Sequence, residues 1–254
     1  GQSPLLLVAE ESRDRVQRHL LAGVEEPYEA VGLRQDGTTF SSEIRAKRLV
    51  YQGRQAHVAA VRDITDRKQA EASLQRRLRE TLLLNRVIAT ATSLPDTHLI
   101  LETACEELAR AFKLPQAAIG LLDDDGQHLT IAAEYLSPGR PSIAGLAIPV
   151  ADNRAIRTVI EEGVPLYLAD MPTDDRLSHA LREETRRRGT DSLLLVPLLA
   201  GERVIGTLGL DATGLRAFTP EEITLAQNVA ATAGQALERA RLYETLQQEL
   251  AERR

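Results

Sequence analysis

The longest apolar run in the chain is Leu193–Ala200, and it constrains the fold more than any other feature. It is one strand long, contains Pro197, and is followed by Gly201-Glu202 and a second apolar stretch, Val204–Leu210. Two apolar runs of strand length around a glycine-containing turn form a β-hairpin. Neither run approaches the ~20 residues a helix needs to span a bilayer. The 254 residues, 43% of them hydrophobic, allow one large domain or two small ones, each with its own core.

The rest of the chain carries both helix and strand signals. A helix is expected over residues 8–22, ended by Gly23. Three strand-like segments follow at Tyr28–Arg34, Thr38–Val50 and Gln55–Arg62, with turns at Asp36-Gly37 and Gln52-Gly53, so the region reads as a three-stranded antiparallel meander. Thr65 is placed to cap a long helix running to about Thr92, which Leu94-Pro95-Asp96 breaks. A further helix is expected at Thr97–Phe112. Strands follow at Ala117–Leu122, Leu129–Tyr135, Ala144–Val150 and Pro165–Leu168, and helices at Asn153–Glu162 and Asp175–Arg188. The last helix opens with a capping box, Thr219-Pro220-Glu221-Glu222. Along it Ala226, Val229, Ala233, Ala236, Ala240 and Tyr243 form one apolar stripe, and Ile223, Ala230 and Leu237 a second. One stripe is expected to cover a sheet and the other to meet a partner helix in a parallel homodimer, with the long helix after Asp63 lying beside it in a four-helix bundle.

Composition removes several function classes. The formal net charge of −6 argues against nucleic acid as a general partner. The Arg186–Arg188 triplet follows Glu183 and Glu184 and reads as a solvated helix face. The single cysteine, Cys105, excludes an internal disulfide and a cysteine-based zinc site. It shares helical spacing with Leu101, Leu108 and Phe112, as a core thiol does. With no signal peptide visible, the expected compartment is the cytoplasm. The chain begins with Gly1 and its one methionine is Met171, so it is expected to be a piece of a longer protein or a processed one.

Two family resemblances follow from particular residues. Glu26–Arg67 resembles the C-terminal half of a PAS domain, through Tyr28-Glu29, Gln35-Asp36-Gly37-Thr38, Glu43-Ile44, Tyr51-Gln52-Gly53 and Arg62-Asp63-Ile64-Thr65-Asp66-Arg67. The stretch from about Thr81 to Leu246 resembles a GAF domain, through Ser192–Leu198, Val204–Leu210, Phe218-Thr219-Pro220-Glu221, Glu162-Gly163-Val164-Pro165 and Ala236–Tyr243. The resemblances imply an α+β organisation. Residues 1–66 would be the PAS remnant, 67–93 a linker helix, 94–218 the GAF core around an antiparallel sheet, and 219–254 a terminal coiled-coil helix.

They also imply a sensory region, as found in bacterial histidine kinases, with a diguanylate cyclase or phosphodiesterase as the alternative parent. The GAF pocket would draw on Asn153, Asp170, Met171, Arg176, His179 and Leu208, with the Asp170–His179 segment as its lid. Signalling and dimer contacts would involve Asp63, Thr65 and the stripe Ala226, Val229, Ala233, Ala236, Ala240 and Tyr243.

Subtype motifs narrow the ligand. A cyclic-nucleotide signature is incomplete: Phe218 and Glu222 match loosely, Ile223 replaces an acid, and no Asn-Lys pair precedes them. Asp170-Met171-Pro172 is similar to a phytochrome tripeptide, but Cys105 lies away from the position that would attach a bilin. Methionine sulfoxide reduction needs more than one cysteine. A haem would need an axial ligand in an apolar pocket, and neither a haem nor a covalent bilin is expected. No kinase, cyclase or nucleotide-cradling motif is present, so no catalytic residue or metal ligand is expected. Ligand sensing and an empty structural relay both remain compatible with these residues.

Overall fold

Strand Ser192–Ala200 is covered on both of its faces, and this organises the larger part of the molecule. The computed structural model describes residues 4–51, 53–93 and 97–252. Two compact units, Gly1–Arg79 and Glu80–Arg254, divide within one long helix. The expected break at Leu94-Pro95-Asp96 lies outside the described residues.

In the first unit a 3-10 turn (Pro4–Leu7) precedes α1 (Glu10–Ala22), β1 (Tyr28–Leu33), β2 (Thr39–Tyr51), β3 (Arg54–Asp63) and the start of α2 (Thr65–Ser93). The strands form an antiparallel sheet in the order β1-β2-β3, which is the expected meander. Gly23 ends α1 at φ 65, where its own N–H and that of Val24 reach back to the carbonyls of Leu20 and His19. Asp36 fixes the first hairpin by accepting from the Thr38 N–H (2.9 Å) and hydroxyl (2.7 Å). The core is small: Val8, Val16, Ala30 and Ile44, with Leu5, Leu20 and Tyr28 around it.

The start of α2 differs from expectation. The Thr65 hydroxyl does not cap the helix; it accepts the Ser41 N–H at 3.1 Å. Asp63 serves the helix start instead, accepting the Thr65 N–H at 2.9 Å and pairing with Arg34. Hydrogen bonds from Thr65, with Arg34 alongside, hold the Asp63 carboxyl down at about 2.

In the second unit α3 (Thr97–Phe112) leads into β4 (Gln116–Leu122), β5 (His128–Leu136), β6 (Ala147–Pro149), α4 (Arg154–Glu162), β7 (Leu166–Leu168), α5 (His179–Arg188), β8 (Ser192–Ala200), β9 (Arg203–Ala212) and α6 (Pro220–Glu252). All neighbours in the six-stranded sheet are antiparallel, in the order β6-β5-β4-β9-β8-β7. Leu194, Val196 and Leu198 of β8 face α3, α6 and the Leu83 and Val87 turns of α2. Leu193 and Leu195 face α4 and the segment around Met171 and Leu177. Strong apolar character at successive positions of β8 therefore reflects two cores, one on each side. Pro197 is tolerated because β7 pairs only with Leu193, Leu194 and Leu195, leaving β8 one neighbour at that point.

Two expected elements are shorter than the sequence suggested. Gly145, at φ 77, turns the chain before β6, so the strand begins at Ala147 and not at Ala144. Helix α5 begins at His179 because Asp174 binds the Arg176 backbone and side chain in a turn, and Ser178 then caps Leu181. The capping box of α6 is as expected: Glu222 accepts the Thr219 N–H at 3.0 Å, and the Thr219 hydroxyl accepts the Glu222 N–H at 3.2 Å.

The dimer stripe requires correction. Ala226, Val229, Ala233 and Ala236 are buried within the chain against the sheet, together with Ala230 and Leu237. The two stripes are adjacent and merge into one broad face that β8 and α3 use up. Ala240 is half-buried and Tyr243 exposed. Cys105 is fully buried in the same layer, as expected of a core thiol, and burial pushes its thiol up.

Gly234 marks the closest approach of α6 to the sheet. A Cβ there would stand 2.2 Å from the Leu199 carbonyl oxygen, and backbone on both sides leaves no side chain to yield. Gly234→Ala is expected to lower stability by about 1–3 kcal/mol or more in urea unfolding. Gln235→Ala, on the exposed side of the same turn, should stay within about 0.5 kcal/mol of the parent.

Candidate functional site

On the face of the sheet away from α3 and α6 the side chains thin out. Ala118 of β4 and Gly209 of β9 leave space that larger residues would fill, whereas the space over Gly120 is taken by Leu129. The result is a cavity of ≈ 70 Å³. Its walls are Leu129, Ile131, Leu193 and Leu195 from the sheet, Ile156 from α4, Leu181 from α5, and Met171 and Leu177 from the intervening segment. Ile143, Ile148 and Leu181 are shared with an outer groove of ≈ 540 Å³ between the 142–149 segment and α5.

One end of this apolar cavity is charged. Arg188 lines it with a side chain only 4% exposed and meets the Asp211 carboxylate at 2.8 Å. The same Arg188 nitrogen donates to the Gln116 side-chain oxygen. Thr190 donates its hydroxyl to Asp211 at 3.2 Å and accepts from Arg140 at 2.6 Å. Thr185 and Thr207 complete this end of the lining. Burial pushes the Asp211 carboxyl up, against the opposing pull of Arg188 and Arg140. Burial likewise lowers the Arg140 guanidinium, which Asp211 supports and Arg188 opposes.

The local sequence explains these placements. Leu181, Thr185 and Arg188 are spaced by four and three residues, so one face of α5 carries all three inward. Gly189, at φ 63, ends the helix just after Arg188 and turns the chain toward β8. Thr207, Gly209 and Asp211 share a face of β9 by strand alternation, as do Gln116, Ala118 and Gly120 on β4.

Of the six ligand residues expected from sequence, the structure brings only Met171 to the cavity, buried with its N–H on the Asp191 carbonyl at 2.8 Å. Asn153 is buried but caps α4, accepting the Ile156 N–H at 3.2 Å. Asp170 is exposed. Arg176 is held by Asp174 at 2.5 Å, and His179 is the exposed first residue of α5. Leu208 is fully buried on the opposite face of the sheet, in the helix-side core, because alternation on β9 separates it from Thr207 and Gly209.

The residues that sequence reasoning missed are Arg188, Asp211, Gln116, Thr185 and Thr207. The signal for Arg188 was its spacing from Leu181, and for Asp211 its position in register with Thr207. Arg186 and Arg187 do form the expected solvated face, paired with Glu183 and Glu184.

Among the described residues one acidic group lies in metal-ligand proximity, Asp123, Asp125 and His128, all exposed. Its carboxylates serve the β4–β5 turn, Asp123 accepting the His128 N–H and Asp125 the Gln127 N–H.

Replacing Arg188 with methionine strands a buried carboxylate. R188M is expected to cost about 3–5 kcal/mol, read from the urea midpoint at constant slope. Adding Asp211→Asn should recover a substantial part of that loss.

No curated protein matches the chain by sequence. Solved structures do match in fold. The GAF domain of a phosphoenolpyruvate-protein phosphotransferase from Coxiella burnetii covers 66% of this chain and 98% of its own, at 19% identity and a TM-score of 0.58. The phycoerythrobilin-bound GAF domain of a cyanobacterial phytochrome covers 65% and 97%, at 17% identity and 0.56. The chromophore-binding domain of an unusual bacteriophytochrome from R. palustris extends over 94% of this chain and 82% of its own, at 14% identity and 0.55. At these identities the likeness establishes the fold alone. The family model for the GAF domain matches residues 96–237, which hold α3, the whole six-stranded sheet and the buried face of α6, and over this larger part of its length the chain belongs to the GAF family.

Proposed function

We propose that the chain is a sensory input region of a signal-transduction protein, whose GAF domain binds a small molecule in the cavity between the sheet and α5. The observation that carries this reading is the convergence of Arg188 and Asp211, both buried, at one end of an otherwise largely apolar cavity. A buried ion pair is costly to desolvate and is weak evidence of a role in stability, and a few polar groups in an apolar pocket are what orient a ligand. The ≈ 70 Å³ volume suits a ligand of a few atoms and not a tetrapyrrole of the kind the phytochrome domain holds.

The first unit supports the reading as the C-terminal half of a PAS domain. Its meander ends at Asp63-Ile64-Thr65, and Asp63 ties the helix start to Arg34 at the first hairpin. The parent protein in this reading is a cytoplasmic histidine kinase, with a diguanylate cyclase or phosphodiesterase as the alternative output, and the region itself performs no chemistry. Among the described residues no helix is long and apolar enough to cross a membrane.

The second reading, an unliganded relay, is favoured by the small size of the cavity. Native mass spectrometry of the freshly purified chain separates the two. Sensing predicts a retained small mass that is lost in Ala118→Leu, which fills the cavity. No retained mass, together with no thermal shift on exposure to a metabolite panel, would overturn sensing.

The homodimer proposed for this region uses a different surface from the buried alanine stripe. Leu242, Leu246 and Leu250 recur every four residues on the last turns of α6, each more than half exposed. A parallel dimer along this line predicts that Leu246→Cys forms a disulfide with its own copy under mild oxidation, Cys105 being buried. L246E should give a monomer by light scattering at micromolar concentration with unchanged thermal stability. A parent chain that is already monomeric and a cysteine variant that stays unlinked would sink the dimer.

A further inference from the structure

The charged end of the cavity has an imbalance that folding alone does not require. Two guanidinium groups, Arg188 and Arg140, stand around one carboxylate, Asp211. Among the described residues neither is paired with a second carboxylate. Three buried donors of this cluster also have no acceptor: Arg188 Nε, on a residue that lines the cavity, and Arg140 Nε and Gln116 Nε2, on residues that do not. Buried donors are nearly always satisfied, so several such groups in one cluster beside a cavity call for a partner that only accepts.

We propose that the ligand of this cavity is a short aliphatic monocarboxylate, received at its anionic end by Arg188 and at its hydrocarbon end by Met171, Leu193 and Leu195. This rests on the ligand-binding reading above. An ionised carboxylate is acceptor-only and matches the orphaned donors, whereas an amide or alcohol would bring further N–H or O–H groups against them. One negative charge balances the single excess cation. A phosphate would bring close to two charges. At about 10–15 Å³ for each water held, a cavity of ≈ 70 Å³ limits the ligand to roughly five or six heavy atoms. The walls beyond the charged end are leucine, isoleucine and methionine, so the remainder of the ligand is apolar.

The test is a two-dimensional NMR titration of the whole chain with propionate and butyrate, against propionamide and 1-propanol, at ionic strength fixed with sodium chloride. The carboxylates are expected to bind at least about tenfold more tightly than the neutral probes and to shift amides of Met171, Arg188 and Leu195. Arg188→Met should abolish the preference. Because that variant unpairs a buried charge and risks misfolding, the parent chain's preference for propionate over propionamide carries the test by itself, and Asp211→Asn, which is read from a native-like amide spectrum, is a further arm. It keeps Arg188 and removes the competing carboxylate, so propionate should bind severalfold more tightly while propionamide is unchanged. A purely structural Arg188–Asp211 pair predicts no gain. Equal binding of propionate and propionamide, or an unchanged propionate affinity in D211N, overturns the carboxylate assignment while leaving the cavity a ligand site. If no probe binds and native mass spectrometry also finds no retained mass, the ligand-binding reading itself fails.

Discussion

Strand β8 presents water with no polar face, and both of its sides must be covered for the domain to exist. Leu194, Val196 and Leu198 are completed by α3 and α6, and Leu193 and Leu195 by α4 and the Met171–Leu177 segment. Burial of a leucine side chain contributes about 1.5–3 kcal/mol, so the strand is a main anchor for both layers. The close seat of α6 at Gly234 follows from the same demand, since a helix covering so apolar a strand gains most by approaching it closely. The cavity exists because the other face is covered less completely, by two short helices and an irregular segment.

Much of the fold could be read from the residues, because its signals are local. Glycine turns, the Thr219–Glu222 capping box and the apolar hairpin each specify their own neighbourhood. Errors came where two local signals competed or where a face had to be assigned. Thr65 is a good cap by type, but Ser41 on the adjacent strand claims its hydroxyl, and Asp63 takes its place. On α6 the small-residue stripe is equally suited to a partner helix or a sheet. Only the tertiary arrangement decides that the chain consumes it itself.

The site was less legible than the fold for a related reason. Polar residues in the Asp170–His179 segment attract attention as candidate ligands, yet they satisfy one another: Asp174 binds Arg176, and Ser178 caps α5. The groups that reach the cavity were concealed in patterns with a simpler explanation. Arg188 ends a charged triplet whose first two members do face solvent, and Asp211 is the penultimate residue of its strand, where a polar residue commonly precedes a turn. Their pairing joins positions far apart in sequence, which no local pattern reports.

The alternation along β8 also makes the strand a partition with no slack. Residues 193 and 195 bound the cavity, while 194, 196 and 198 lie in the core that holds Leu83 and Val87 of α2 and Leu237 of α6. Neighbouring residues of one extended backbone cannot move independently, and close-packed interiors do not absorb displacement. A sideways shift of β8 by a fraction of an ångström on the cavity side would therefore appear on the helix side with little attenuation. Residues of both long helices, Leu83 and Val87 of α2 and Leu237 of α6, pack on that side, so one strand separates the cavity from the core they share.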